Sequence, residues 1–187
     1  GARVSYGTYN TLLTSVNAGG YYQNGMYFRI SGMYNTSDGY NDLPVEFREE
    51  PDYSVARYLD EYNISTKAGW SVDPLLNIEL QYDHYRNKKG EGEKIEAPDG
   101  EYRHFNTDFL GVRMNGNTGS FSYNLNLYYQ HEYYFKLDER MRGGEYARFD
   151  VKSDRIDKGI TANFTNRLTS SNKLVYGAEA RFGSVDG

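Results

Sequence analysis

Apolar residues recur at every second position in one segment of this chain after another. The clearest segment follows the turn at residues 117–119, and its apolar positions are Phe121, Tyr123, Leu125, Leu127 and Tyr129. The residues between them carry mainly amides and hydroxyls. Successive side chains of an extended strand point to opposite faces, so such a strand has one apolar and one polar face. The pattern predicts amphipathic β-strands, and helical spacing explains it less well.

The same alternation occurs in further segments, and the count predicts about eight strands in all. These segments begin near Asn10, Met26, Tyr62, Leu76, Leu110, Ile156 and Leu174. Short turns rich in Gly, Asn, Pro and Ser separate some of them, and long polar links span 37–57, 87–103 and 138–153. Short connections that alternate with long ones are typical of an antiparallel up-and-down meander in a membrane barrel.

The side-chain chemistry of the two faces decides between a soluble sandwich and a membrane barrel. The polar positions include ionised side chains such as Arg29, Glu79 and Arg113. Burying an unpaired ion costs on the order of several kcal/mol, so this face must be wet. Aromatic residues fall into two bands, with Trp70, Phe121 and Phe164 near short turns and Tyr34, Tyr82 and Tyr129 nearer long links. Membrane interfaces select such bands, so we predict an all-β fold: an antiparallel up-and-down meander that is part of a transmembrane β-barrel.

Composition excludes several classes of protein without changing the predicted fold. The chain has 187 residues, a net charge of −5, a mean hydropathy of −0.81 and no cysteine. It contains no apolar run of about 18 residues, which excludes a transmembrane helix. The mild acidity argues against a nucleic-acid partner. The absence of cysteine rules out a disulfide scaffold.

Several short stretches resemble the TonB-dependent outer-membrane receptors. They are Val4-Ser5-Tyr6-Gly7-Thr8-Tyr9-Asn10-Thr11, the turn Asn24-Gly25, Tyr27-Phe28-Arg29-Ile30-Ser31-Gly32-Met33-Tyr34, and Ser37-Asp38-Gly39-Tyr40 at the start of a long link. Barrels of this family have about 22 strands and a plugged lumen. The resemblance implies that residues 1–187 form a partial β-barrel domain from the first half of such a barrel, without the plug domain.

The same resemblance implies a function and a set of partners. It implies active uptake of a nutrient, such as an iron chelate, cobalamin or a glycan, across the bacterial outer membrane. The implied partners are outer-membrane lipid, TonB through the missing plug region, and a small-molecule nutrient ligand. We expect no cofactor.

Candidate ligand-binding residues are polar-face aromatic and charged side chains near the long links, together with residues of the links themselves. They are Tyr85, Tyr128, Glu132 and Tyr134 on strands, and Tyr40, Arg48 and Arg142 in links. Aromatic rings pack on planar or sugar surfaces, and arginine pairs with carboxylate or phosphate. Each of these residues could equally serve to stabilise the wall and its loops.

Two other functions compete with uptake. One is a soluble or surface-exposed β-sheet adhesion domain, since one-sided antiparallel sheets are common in soluble proteins. The other is an outer-membrane barrel enzyme, such as a lipase or protease, which needs a nucleophile and a histidine at one wet site. The histidines His84, His104 and His131 fall on the apolar parity and lack metal-site spacing, so we predict neither an enzyme nor a metal site. The link around 88–100 is expected to be a solvated loop.

Overall fold

The computed structural model describes residues 1–41, 54–73 and 75–187. In these ranges nine β-strands form one sheet in chain order, and each strand is antiparallel to the next. The strands are β1 (Ala2–Tyr6), β2 (Leu12–Tyr21), β3 (Met26–Ser37), β4 (Leu59–Asp73), β5 (Leu76–Gly90), β6 (Tyr102–Asn117), β7 (Phe121–Arg142), β8 (Glu145–Arg167) and β9 (Lys173–Asp186). This confirms the all-β antiparallel meander. Within these ranges no helix has the length and apolar character needed to cross a membrane.

The described part of the structure has nine strands where the alternation predicts about eight, and β1 is the additional strand. This strand is five residues long. It pairs with β2 from Ala2 opposite Val16 to Tyr6 opposite Leu12. A pattern this short carries little information by itself, and the pairing with β2 is what defines the strand.

The expected long link at 138–153 is also wrong, because the chain continues as two paired strands. β7 and β8 stay in register as far as Arg142 opposite Glu145. Gly143 and Gly144 form the turn between them with φ of 60° and 88°. Positive φ at both central residues suits the two-residue hairpin turns that match strand twist. Charged residues replace the apolar alternation here, with Asp138 bound to Lys136 at 2.9 Å and to Arg140 at 3.2 Å.

The apolar face of the sheet, made of the alternating apolar positions, is uncovered. Its side chains are nearly half exposed, for example Ile30 at 45%, Leu127 at 46% and Ile160 at 43%. Ala97 and Leu137 are the only hydrophobic residues buried in the described ranges. The described strands thus lack the second layer that encloses the core of a sandwich.

Aromatic contacts mark the end of the sheet that carries short turns. The indole N–H of Trp70 donates to the carbonyl of Asn24 at 3.1 Å. The Phe164 ring lies between two others, 6.0 Å from Phe121 and 5.3 Å from Tyr176. Toward the other end, Tyr82 and Tyr129 both lie opposite Leu110 in one cross-strand row.

Candidate ligand-binding surface on the polar face

The polar face, opposite the apolar one, holds a set of linked ionised side chains. The Tyr27 hydroxyl donates to Glu79 Oε2 at 2.7 Å, and Lys67 Nζ lies 3.1 Å from Glu79 Oε1. Farther along the sheet, Arg181 donates from Nε to both carboxylate oxygens of Asp157 at 3.0 Å. Arginine bound to a carboxylate at two oxygens is held in a defined orientation.

A groove of about 520 Å³ lies on this face, across the middle of β5 to β9. Its lining includes Phe109, Arg113, Tyr128, Gln130, Asp157 and Arg181. Within it the Phe109 and Tyr128 rings stack with centroids 6.5 Å apart. The groove thus combines aromatic surface with two guanidinium groups and two carboxylates, those of Glu79 and Asp157.

Two glycines leave the space that the Tyr128 and Phe109 rings occupy. A Cβ placed on Gly159 would lie 2.7 Å from the Tyr128 ring, and one on Gly111 would lie 2.9 Å from the Phe109 ring. Real Cβ atoms do not approach other atoms so closely. Each ring therefore lies flat over a position that only glycine fills without displacing it.

The four strand residues proposed from the sequence all share the polar face. Tyr128, Glu132 and Tyr134 all occupy even-numbered positions of β7, which face the same side of the sheet. Tyr85 lies opposite Thr107, which in turn lies opposite Glu132, so Tyr85 and Glu132 belong to one cross-strand row. Residues opposite one another in an antiparallel sheet share a face. The geometry therefore brings these four side chains onto one surface.

Each of the four also has contacts within the sheet. The Tyr85 hydroxyl donates to Glu61 Oε2 at 3.1 Å, and Tyr128 donates to Asp157 Oδ1 at 3.4 Å. Glu132 lies 4.0 Å from Arg155, and the Tyr134 ring lies 4.7 Å from that of Phe105. Their rings and charges make contacts that stabilise the sheet, and Tyr128 also lines the groove.

Of the residues proposed in the links, Tyr40 and Arg142 do not line the groove. Tyr40 follows β3, and its ring lies 5.6 Å from that of Tyr9. Arg142 is exposed at the tip of the β7–β8 hairpin, opposite Glu145. Arg48 lies outside the described residues.

Sequence reasoning missed the most polar part of the groove. From the sequence, Arg113 is identified only as a polar-face charge, and Phe109, Asp157 and Arg181 are not among the ligand candidates. The available signal is glycine at two polar-face positions, Gly111 of β6 and Gly159 of β8, because each leaves space that a nearby ring, Phe109 or Tyr128, fills.

The connection between β5 and β6, residues 91–101 (the 91–101 loop), docks against β7, contrary to the expectation of a solvated loop. The Glu139 side chain is fully buried there. Its Oε2 accepts from the backbone N–H of Glu96 at 2.9 Å and of Ala97 at 2.8 Å. Its Oε1 accepts from Ile95 N–H at 3.3 Å, and the Tyr146 hydroxyl donates to Oε2 at 2.9 Å.

The carboxyl groups of this docked region have opposite pKa shifts. Burial opposes ionisation of Glu139, but the N–H groups of Ala97 and Glu96 outweigh it and lower the Glu139 pKa below its ordinary value. Burial, followed by the hydrogen bond and charge of Asp138, raises the Glu101 pKa from 4.5 to about 7. The bond from Arg140 holds the Asp138 pKa well below its usual range. The Glu139 N–H donates to Glu101 Oε1 at 2.6 Å, which joins the two acids.

Two of the histidines lie on the apolar face in contact with acids. His84 Nδ1 lies 2.8 Å from Asp108 Oδ1, and His131 Nε2 lies 2.9 Å from Asp154 Oδ1. In the described ranges no group of three or more His, Cys, Asp or Glu is placed to hold a metal ion.

The backbone is similar to the crystal structure of the siderophore receptor PiuA from Acinetobacter baumannii, with a TM-score of 0.73 and 11% sequence identity. The match covers 99% of this chain and 30% of that receptor. No protein-family model and no curated protein sequence matches the chain. At this identity the likeness establishes the fold: the meander is built like a section of a receptor β-barrel.

Proposed function

We propose that this chain is a section of the barrel wall of a TonB-dependent outer-membrane receptor for active uptake of a small-molecule nutrient. One observation carries the proposal: an uncovered apolar face lies opposite an ionised face in one continuous meander. An apolar face that no protein layer covers is stable when acyl chains cover it, and the ionised face is stable when a water-filled lumen hydrates it.

The mechanism follows from that orientation. Ligand reaching the lumen meets the groove around Tyr128, where aromatic surface and the guanidinium groups of Arg113 and Arg181 provide contacts. TonB acts on a plug domain distinct from the strands described here, and plug movement releases the ligand inward. In this account the wall binds and guides its ligand and performs no chemical reaction.

Among the nutrient classes, we propose an iron chelate first. The similar structure is that of a siderophore receptor. Iron chelates also suit the groove, because flat organic arms match the stacked rings of Phe109 and Tyr128, and the Arg113 guanidinium can pair with an anionic oxygen of the chelate. Cobalamin and a glycan are the competing ligands, and a glycan would use the rings and amides without the cations.

Uptake by cells carrying the intact protein tests this function. We expect radiolabelled ferric catecholate or ferric hydroxamate chelates to accumulate only when both the receptor and TonB are active, and the protein to fractionate with the outer membrane. Recovery of the intact protein as a detergent-free soluble monomer would favour the adhesion domain instead. Accumulation of cobalamin or an oligosaccharide alone would retain the receptor and reassign its ligand.

Substitutions on the two faces of β7 test where the ligand binds. We expect Tyr128→Ala and Gln130→Ala to weaken chelate binding, because both side chains of β7 line the groove. The matched control is Tyr129→Ala, which removes the same side chain as Tyr128→Ala from the adjacent apolar-face position. Unchanged chelate affinity in both polar-face variants would remove these residues from the site.

A further inference from the structure

Lys158 is a cation on the apolar face without an ionic partner. On β8 it lies between Ile156 and Ile160 on that face, and its cross-strand neighbours are Tyr129 and Phe182. The side chain is exposed, and its ammonium group makes no ion pair or hydrogen bond to any other described residue. An ammonium group in apolar surroundings is costly unless an anion or water accompanies it.

An apolar hollow of about 480 Å³ opens beside this ammonium group. It spans β6 to β9 and is lined by Leu110, Leu127, Tyr129, Ile160 and Phe182 together with Lys158. Lys158 is the one charged residue in that lining. The hollow therefore combines a single positive charge with a surface that suits hydrocarbon.

The position of Lys158 along β8 places it in a cross-strand row that also contains tyrosines. Tyr82, Leu110, Tyr129, Lys158 and Phe182 form one continuous cross-strand row. Tyrosine concentrates where headgroups meet acyl chains. This row places the ammonium group at headgroup depth and the next row, which contains Leu127 and Ile160, at acyl depth.

Asp108 and Asp154 lie on this face toward the long connections, and they do not neutralise Lys158 because they have other partners. Asp108 is bound by His84 at 2.8 Å and by the Tyr82 hydroxyl at 2.7 Å. Asp154 is bound by His131 at 2.9 Å. Asp157 is adjacent in sequence but points to the polar face, where it binds Arg181.

We propose that this hollow is a specific site for a membrane lipid with a phosphate headgroup, whose phosphate pairs with Lys158 and whose acyl chain fills the hollow. The inference rests on the proposed function, since it requires the apolar face to lie in lipid. It assigns to the wall a lipid-binding role separate from nutrient binding on the opposite face.

Lipid titration of the intact detergent-purified receptor, followed by native mass spectrometry, tests the site. The probes are phosphatidylglycerol, which is anionic, and phosphatidylcholine, which has no net charge. We expect Lys158→Gln to weaken phosphatidylglycerol binding about fivefold, the effect of one cation near an anionic surface. Lys158→Arg should keep the binding, and Ile160→Trp should reduce it for both lipids by filling the hollow.

The matched control is Lys173→Gln, which removes the same charge from an exposed polar-parity position at the short-turn end of β9. Equal phosphatidylglycerol binding by the wild type and Lys158→Gln would overturn the inference while leaving the receptor intact. If instead the residues around the hollow prove to contact water or a protein core, the proposed function itself fails, and this result is distinct from the first.

Discussion

Removing the buried carboxylate of Glu139 should release the 91–101 loop from β7. In Glu139→Ala the N–H groups of Ile95, Glu96 and Ala97 lose their common acceptor, and the Tyr146 hydroxyl loses its partner. Hydrogen bonds to a charged group contribute about 1.5–3 kcal/mol each. Their sum overstates the effect, because an undocked loop can rehydrate its N–H groups.

We therefore expect loop docking to weaken by about 2–4 kcal/mol, the range of one to two charged hydrogen bonds. That is a change of about 30- to 1000-fold in the opening equilibrium. Hydrogen exchange of the intact protein measures it directly, since the amides of residues 95–97 exchange only when the loop opens. Glu139→Gln, which keeps the size and loses the charge, should give a smaller acceleration.

Glu145→Ala is the control, because Glu145 is an exposed acid at the tip of the same hairpin. It should leave exchange at residues 95–97 unchanged. Wild-type exchange at those amides in Glu139→Ala would refute the assignment of Glu139 as the group that holds the loop.

Two further outcomes follow from the same structure. Because burial and Asp138 raise the Glu101 pKa from 4.5 to about 7, the docked loop holds this proton more tightly than the open loop, so the contribution of Glu101 to docking is complete below pH 4.5 and is lost as pH rises through 7. Glu101→Gln should flatten that profile in hydrogen exchange corrected for intrinsic rates, and an unchanged profile would exclude Glu101 as its source. Gly159→Ala should destabilise the barrel by about 1–3 kcal/mol because its Cβ meets the Tyr128 ring at 2.7 Å. Gly183→Ala, with its nearest atom at 3.6 Å, should be tolerated, and equal urea midpoints for the two variants would contradict the packing argument.

Alternation along the chain was enough to predict the strands that keep one apolar parity. Side-chain direction in a strand is a local property with a period of two, so β7 from Phe121 to Tyr129 could be recognised without its neighbours. The same property assigned Tyr85, Tyr128, Glu132 and Tyr134 to one face. The ends of β7 and β8 next to the hairpin turn at 143–144 were predicted to be a link, because ion pairs such as Lys136–Asp138 replace apolar residues there.

The groove and the docked loop depend on register and long-range contacts, which local pattern does not contain. Tyr128 covers Gly159 only because the two residues lie opposite each other in β7 and β8. Glu139 has the parity of the apolar face, and only the docking of a loop more than forty residues earlier explains its burial.

The most direct test of the central claim is to measure which side of the sheet contacts lipid. This chain has no cysteine, so single cysteines for nitroxide labels can be placed one at a time from Phe121 to Gln130. In the intact protein in bilayers, we predict collision with oxygen to peak at odd positions, including Leu125 and Leu127, and collision with a water-soluble nickel chelate to peak at even ones. Odd positions shielded from both reagents, with even positions open to the nickel chelate, would place the apolar face in a protein core and contradict the account.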